Sequence, residues 1–193
     1  DQPRSRGLGD VYKRQLDMAL EREDDRILYL MQDMREFEPG EKVSAVVSAC
    51  DSINYILEPE DLQAVFFCVS ESLKEGGIFI FDINTPYKYE VLMADNTIAE
   101  NRDEGSFIWD NYYDADEKIN EYDLTLFIKE QSEDEDDIYK KFEETHFQRC
   151  YEISELKELL EQSGLVFDAV YDAYTDDQVK CDSEKVTVIA HKA

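Results

Sequence analysis

The sequence predicts an α/β fold: a parallel sheet faced by helices, with an antiparallel β insertion near residues 105–148. Three observations carry that prediction. Val43 to Ala49 and Ile78 to Ile83 are short, nearly continuous apolar runs, the composition of strands buried on both faces. Between them Leu62, Val65, Phe66, Val69 and Leu73 recur at helical spacing, so a crossover helix joins the two strands into a βαβ unit. From Gly105 to Gln148 the pattern switches to apolar–polar alternation, the signature of half-buried antiparallel strands.

Taken in order, residues 1–15 stand apart. They are basic (Arg4, Arg6, Lys13, Arg14) ahead of an acidic remainder, and Asp10 to Gln15 resembles the translation of a sequencing-library adapter. They read as a non-native leader and are excluded from fold reasoning; the other reading is a flexible N-terminal arm. The coding sequence is expected to begin near Leu16 with its upstream part lost, leaving one domain over residues 16–193. Leu16 to Glu23 reads as an amphipathic helix, Ile27 to Leu30 as a short strand, Gln32 to Arg35 as a loop and Glu38-Pro39-Gly40 as a turn. In the central unit Pro59 opens the helix, with Glu58, Glu60 and Asp61 at the positive end of its dipole, and Gly76-Gly77 ends it. Ligands of such sheets sit beyond the carboxyl ends of the strands, which puts Cys50 to Tyr55 and Asp82 to Tyr89 on the working edge.

A mixed segment follows Tyr89 as far as Glu104. Phe107 and Trp109 share one strand face, and Tyr122, Leu124, Leu126 and Ile128 share another; Ile138 to Gln148 is a third strand. The acidic run Ser132 to Asp137 reads as a solvated hairpin tip, since it lacks the glycine and regular ligand spacing of a calcium loop. Ser154 caps a helix carrying Leu156, Leu159 and Leu160, which Gly164 stops. Leu165 to Tyr174 and Lys185 to His191 read as two final strands, antiparallel to each other.

Composition narrows the function classes. With 20 basic and 47 acidic residues the net charge is -27, which repels phosphate backbones and argues against nucleic acid as a partner. A hydrophobic content of 42% separates the chain from disordered acidic tails. No apolar run approaches a membrane span, and no secretory leader is visible. The cysteines Cys50, Cys68, Cys150 and Cys181 form no CxxC pair, so no metal site is expected; they read as reduced thiols of a cytoplasmic protein.

At this point the residues resemble a family. Gln32-Asp33-Met34, then Cys50-Asp51-Ser52-Ile53-Asn54-Tyr55-Ile56 after a strand, then Leu73-Lys74-Glu75-Gly76-Gly77, a strand and Asp82 to Tyr89 follow in the order of the later part of class I S-adenosylmethionine-dependent methyltransferases. The likeness covers Leu16 to Ala193 and is greatest to small bacterial methyltransferase-domain proteins. It implies S-adenosylmethionine as cofactor and a Rossmann-like class I methyltransferase sheet. By the same resemblance Asp33 accepts a hydrogen bond from the adenine amino group and Met34 meets the adenine ring. Ala49 and Cys50 face the methionine part of the cofactor. Asp51, Asn54 and Tyr55 line the adjoining loop, and Asn84 and Tyr87 face the methyl acceptor.

The chain also departs from the family. Glu75 stands where proline is usual, and the first strand, the GxGxG loop and the acidic residue ending the second strand have no counterpart. The family's strand order is three, two, one, four, five, seven, six, so a sheet lacking its first two strands would leave Ile27 to Leu30 unpaired. The chain alone is therefore expected to be poorly stable and to bind cofactor weakly or not at all.

Methyl transfer is a direct displacement in which alignment carries most of the effect. A general base is needed only where the acceptor must lose a proton. The candidates are Asp51, otherwise a loop cap, and His146, otherwise a structural hydrogen-bonding group. Asn54, Tyr55, Asn84, Tyr87 and Trp109 are candidate substrate-binding residues. Phe107, Trp109, Tyr112 and Tyr113 would form an aromatic wall suited to a cationic amine, or simply pack the insertion on the main sheet. Asn84-Thr85-Pro86-Tyr87 approaches the NPPY motif of amino-group methyltransferases but follows the wrong strand and carries threonine for the first proline, so it reads as a turn. The expected function is methyl transfer to a small-molecule acceptor. A non-catalytic binding or regulatory protein retaining the fold, and a nucleotide-dependent oxidoreductase, remain alternatives, because fold does not dictate function.

Overall fold

The computed structural model describes residues 16–21, 26–130 and 137–193. Its centre is the expected βαβ unit. Strand β1 (Val43–Ser48) lies parallel to β2 (Leu73–Asn84), and helix α1 (Pro59–Ser72) crosses between them with Pro59 in its first turn. After the insertion come helix α2 (Ile153–Gln162) and strands β7 (Leu165–Asp172) and β8 (Lys185–Lys192). The sheet order is β1-β2-β8-β7, with β8 antiparallel to both neighbours. This is the second half of the expected strand order.

The period-2 alternation of β2 decides where the core sits. Phe79, Phe81 and Ile83 lie opposite Ala190, Val188 and Val186 of β8 and are buried with them. Leu62, Val65, Phe66 and Val69 of α1 and Leu156 and Leu160 of α2 close over that face. Phe66 meets Phe79 and Phe81 at centroid distances of 5.9 and 5.5 Å, and Phe79 stacks on Phe81 at 4.7 Å.

The insertion is a second sheet of four antiparallel strands: β3 (Thr97–Arg102), β4 (Gly105–Asp114), β5 (Ile119–Lys129) and β6 (Tyr139–Arg149). It begins earlier than expected, because the mixed segment after Tyr89 contains a π-helical turn (Lys88–Met93) and then β3. The all-exposed side chains of β3 give no alternation to read; pairing with β4 makes it a strand.

Several expectations need correction. Ile27 to Leu30 is not a strand: no strand lies beside it among the described residues, and Leu28 is 76% exposed. Strand β1 is not buried on both faces. It pairs with β2 alone among the described residues, and Val47 is 66% exposed. Helix α1 stops at Ser72, four residues before Gly76, because Leu73 is already extended (φ -82°, ψ 146°). Ser154 does not cap α2; Glu152 occupies that position without a side-chain bond. The acidic run over residues 131–136, the leader at residues 1–15 and residues 22–25 of the first helical segment lie outside the described residues.

Gly76-Gly77 instead makes an irregular entry into β2, with Gly76 at φ +69°. A Cβ on Gly77 would stand 2.8 Å from the backbone oxygen of Lys74. Gly77→Ala is expected to cost about 1–3 kcal/mol by forcing the backbone apart. Urea denaturation of the variant checks this, and an unchanged midpoint contradicts it.

Candidate functional site

Two consecutive left-handed residues follow β1 beyond Ala49: Cys50 at φ 61° and Asp51 at φ 50°. Non-glycine residues adopt this conformation only where the surroundings compel it. Here it swings Asp51 over the end of β2, where its backbone N–H donates to both carboxylate oxygens of Asp82 at 3.2 Å. Asp82 is 2% exposed, and Lys185, at the start of β8, donates to Asp51 at 2.8 Å and Asp82 at 2.9 Å. The Tyr174 hydroxyl also donates to Asp82, at 2.6 Å.

From β6 the Gln148 amide donates to the second Asp51 oxygen at 2.7 Å. Gln148 in turn accepts from Tyr89 at 3.1 Å, Tyr89 accepts from Asn84 at 3.2 Å, and Asn84 accepts from Lys88 at 2.9 Å. Buried Asn54 donates to the Arg149 carbonyl and accepts from the Asn84 N–H. A polar belt thus ties the working edge of the first sheet to the base of the second.

Burial penalises the Asp51 carboxylate, but hydrogen bonds from Lys185 and Gln148 outweigh it and hold its pKa below the ordinary value. Burial likewise opposes the charge on Lys185, and the two carboxylates prevail, raising its pKa. Lys88 goes the other way, lowered by burial. Burial pushes the Tyr89 and Tyr122 hydroxyls up, so both stay protonated.

Above the belt lies an aromatic cluster. The Tyr55 and Tyr122 hydroxyls share a hydrogen bond of 2.5 Å. His146, paired with Tyr122 across β5 and β6, stacks on its ring at 4.8 Å, and Tyr55 meets His146 edge-on at 5.9 Å. Trp109 contacts Tyr122 at 5.3 Å, and its buried Nε1 has no hydrogen-bond partner among the described residues. Trp109 and Tyr113 also pack around Tyr89, Met93 and Cys150. Tyr112 does not belong to this wall: alternation along β4 turns it to the opposite face, where it is 59% exposed.

Beside the cluster is an open cleft of about 1220 Å³, lined by Met31, Asp33, Met34, Ser52, Tyr55 and Leu57 among others. Two hydrogen bonds from the Arg35 side chain, at 2.7 and 3.0 Å, hold the Asp33 pKa down to about 2, and Arg35 also reaches Asp61 at 2.9 Å. Met34 leans on the main core. Ala49 and Cys50 sit at the carboxyl end of β1, and Cys50 is exposed.

The structure therefore brings Asp51, Asn54, Tyr55, Asn84, Trp109 and His146 to one junction. Asp33 and Met34 line the cleft together with Tyr55, and half-buried Tyr87 leads into the turn after β2. Sequence reasoning assigned no role to Lys185, Gln148, Lys88, Tyr122 or Glu144. One signal was available: a charge inside the apolar run Ile78 to Ile83 implies a buried, paired Asp82, and hence a cation to meet it. Asn84 to Tyr87 is a strand end and turn, in which Thr85 bonds the Ser183 carbonyl at 2.6 Å. Among the described residues no helix is long and apolar enough to cross a membrane.

No family model matches the chain. A Bacillus subtilis protein provisionally named methyltransferase YqeM is 32% identical over 168 residues, covering 86% of this chain; the chain spans 66% of that relative's length, just under two thirds. A Streptomyces venezuelae dTDP-3-amino-3,4,6-trideoxy-alpha-D-glucopyranose N,N-dimethyltransferase is 34% identical over 67 residues, 35% of this chain and 27% of that protein. Among solved structures, an S-adenosylmethionine-dependent methyltransferase from Clostridium acetobutylicum superposes with a TM-score of 0.84 at 27% identity, over 94% of this chain and 72% of that one.

Proposed function

Since the chain belongs to the class I S-adenosylmethionine-dependent methyltransferases, we propose that it carries the acceptor-side portion of an enzyme that transfers a methyl group from S-adenosylmethionine to a small molecule. The observation that carries this is the placement of Tyr55, which lines the cleft beyond β1 and bonds Tyr122 of the second sheet. Cofactor and acceptor would meet at that residue. The chemistry of the cleft suits the cofactor: an ionised Asp33 can only accept, as an adenine amino group requires, and Met34, Tyr55 and Leu57 supply apolar surface for the ring. Ala49 and Cys50 would face its methionine part. When bound, the cofactor supplies an electrophilic methyl group on positively charged sulfur.

Asn84, Tyr87 and Trp109 would border the acceptor, with Asn54 fixing the loop behind them. Of the two candidate bases, both oxygens of Asp51 are engaged by Lys185 and Gln148, which suits it to positioning. His146 is the better proton acceptor. The likeness to an amino-sugar N,N-dimethyltransferase over 67 residues supports a small acceptor. The surplus of 47 acidic over 20 basic residues supports one other than nucleic acid. Residues 105–148 would act as an acceptor-side lid, and the protein would be cytoplasmic.

The test is titration of the labelled chain with S-adenosylhomocysteine, read by amide NMR. The expected result is shifts at Met34, Cys50 and Tyr55 with a Kd between about 0.1 and 1 mM, about -5.5 to -4.1 kcal/mol, because the cleft is open. Silence at those amides at millimolar ligand withdraws the cofactor assignment. A sub-micromolar Kd withdraws the expectation of weak binding.

A further inference from the structure

His146 Nε2 lies 3.1 Å from Glu144 Oε2, two residues earlier on the same face of β6. A carboxylate only accepts hydrogen bonds, so this contact requires a ring proton on Nε2, which in the neutral imidazole leaves Nδ1 with its lone pair. Nδ1 has no hydrogen-bond partner among the described residues. The ring cannot easily turn: Tyr122 stacks on one side at 4.8 Å and 17°, Tyr55 meets it edge-on, and the His146 side chain is 13% exposed. The neighbouring hydroxyls are committed to each other, and their burial keeps Tyr122 protonated.

We propose that Glu144 is a positioning residue: it fixes His146 in the Nε2–H form and so presents Nδ1 to accept a proton from the methyl acceptor. This rests on the methyltransferase reading above and narrows its substrate class to acceptors whose nucleophilic atom carries a dissociable proton, an amine or a hydroxyl. In the step, the acceptor lone pair bonds to the methyl carbon. The carbon–sulfur bond breaks with its electron pair passing to sulfur, and the acceptor's proton passes to His146 Nδ1. An acceptor with no proton to lose would leave the pair idle.

The second histidine supplies an internal contrast. Asp168 holds His191 through Nδ1, at 2.8 and 2.9 Å, so His191 should carry its proton on Nδ1, the opposite tautomer to His146. Long-range proton–nitrogen NMR of the labelled chain, above the pH at which imidazoles titrate, reads both tautomers. The expected spectrum shows His146 as Nε2–H and His191 as Nδ1–H. In Glu144→Ala, His146 relaxes to the averaged mixture of unconstrained imidazole while His191 is unchanged. Glu144 is 39% exposed, so the variant should fold, and unchanged amide spectra elsewhere establish that it does. An averaged or Nδ1–H His146 in the unmodified chain overturns the proposal, as does a tautomer indifferent to Glu144→Ala. The tautomer is read without cofactor. A chain that holds it yet ignores S-adenosylhomocysteine retires the methyltransferase reading and spares Glu144; the converse result spares the reading and retires Glu144.

Discussion

Replacing Lys185 by methionine is expected to destabilise the fold by about 3–5 kcal/mol, since it leaves two carboxylates close together without their shared cation. Lys185 is 17% exposed, Asp82 2% and Asp51 24%, so water can compensate little. Methionine keeps the apolar stem and deletes the charge. The pH dependence follows from the direction of the shifts. Asp51 has a depressed pKa, so its contribution is present above its unfolded value of about 3.9 and is lost as pH falls through the folded one. Lys185 has a raised pKa, so its contribution is present below its unfolded value of about 10.4 and is lost as pH rises through the folded one. The penalty for Lys185→Met should therefore be greatest near neutrality and shrink in acid. Urea midpoints at both pH values test this. Asp51→Asn in the same chain should recover part of the loss, because it removes one of the stranded charges. A uniform penalty across pH would mean that Lys185 acts through packing alone.

The second large effect is expected at Phe81. It is 1% exposed, stacked on Phe79 and directly opposite Val188. Phe81→Ala should cost about 3–5 kcal/mol, combining lost transfer energy with a cavity that α1 and β8 fill only partly. Phe81 and Asp82 point to opposite faces of the sheet. The variant should therefore keep the His146 tautomer and the pH profile of stability while lowering the denaturation midpoint throughout. A loss below about 1 kcal/mol would show that α1 closes freely over the gap.

These two residues also mark what could be read from the chain and what could not. Phe81 was legible: the run Ile78 to Ile83 can only be a buried strand, and the helical spacing of Leu62, Val65, Phe66 and Val69 names the face that covers it. Asp82 in the same run was visible as an anomaly. Its partner Lys185 lies about a hundred residues away, and no local pattern identifies which distant lysine neutralises a buried carboxylate. The same holds for Gln148, which reaches Asp51 only because β6 returns to the junction. Tyr112 and Tyr113 show the limit within one strand. Composition groups them as an aromatic wall, and the pleat sends them to opposite faces.

Ile27 to Leu30 and β1 failed for a different reason. Their side chains suit buried strands, yet strand formation and two-sided burial depend on neighbours, and β1 has one partner among the described residues. Apolar periodicity thus determined the βαβ unit, the two closing strands, the alternating insertion and the edge on which chemistry would gather, because those follow from the local 3.6 and 2.0 repeats. Tertiary structure decided the rest: that Lys185 bridges Asp51 and Asp82, that Gln148 ties the two sheets, and that Glu144 and Tyr122 hold His146. Each is a meeting of segments or faces whose energy depends on distance and burial, quantities that arise only once the strands are in register.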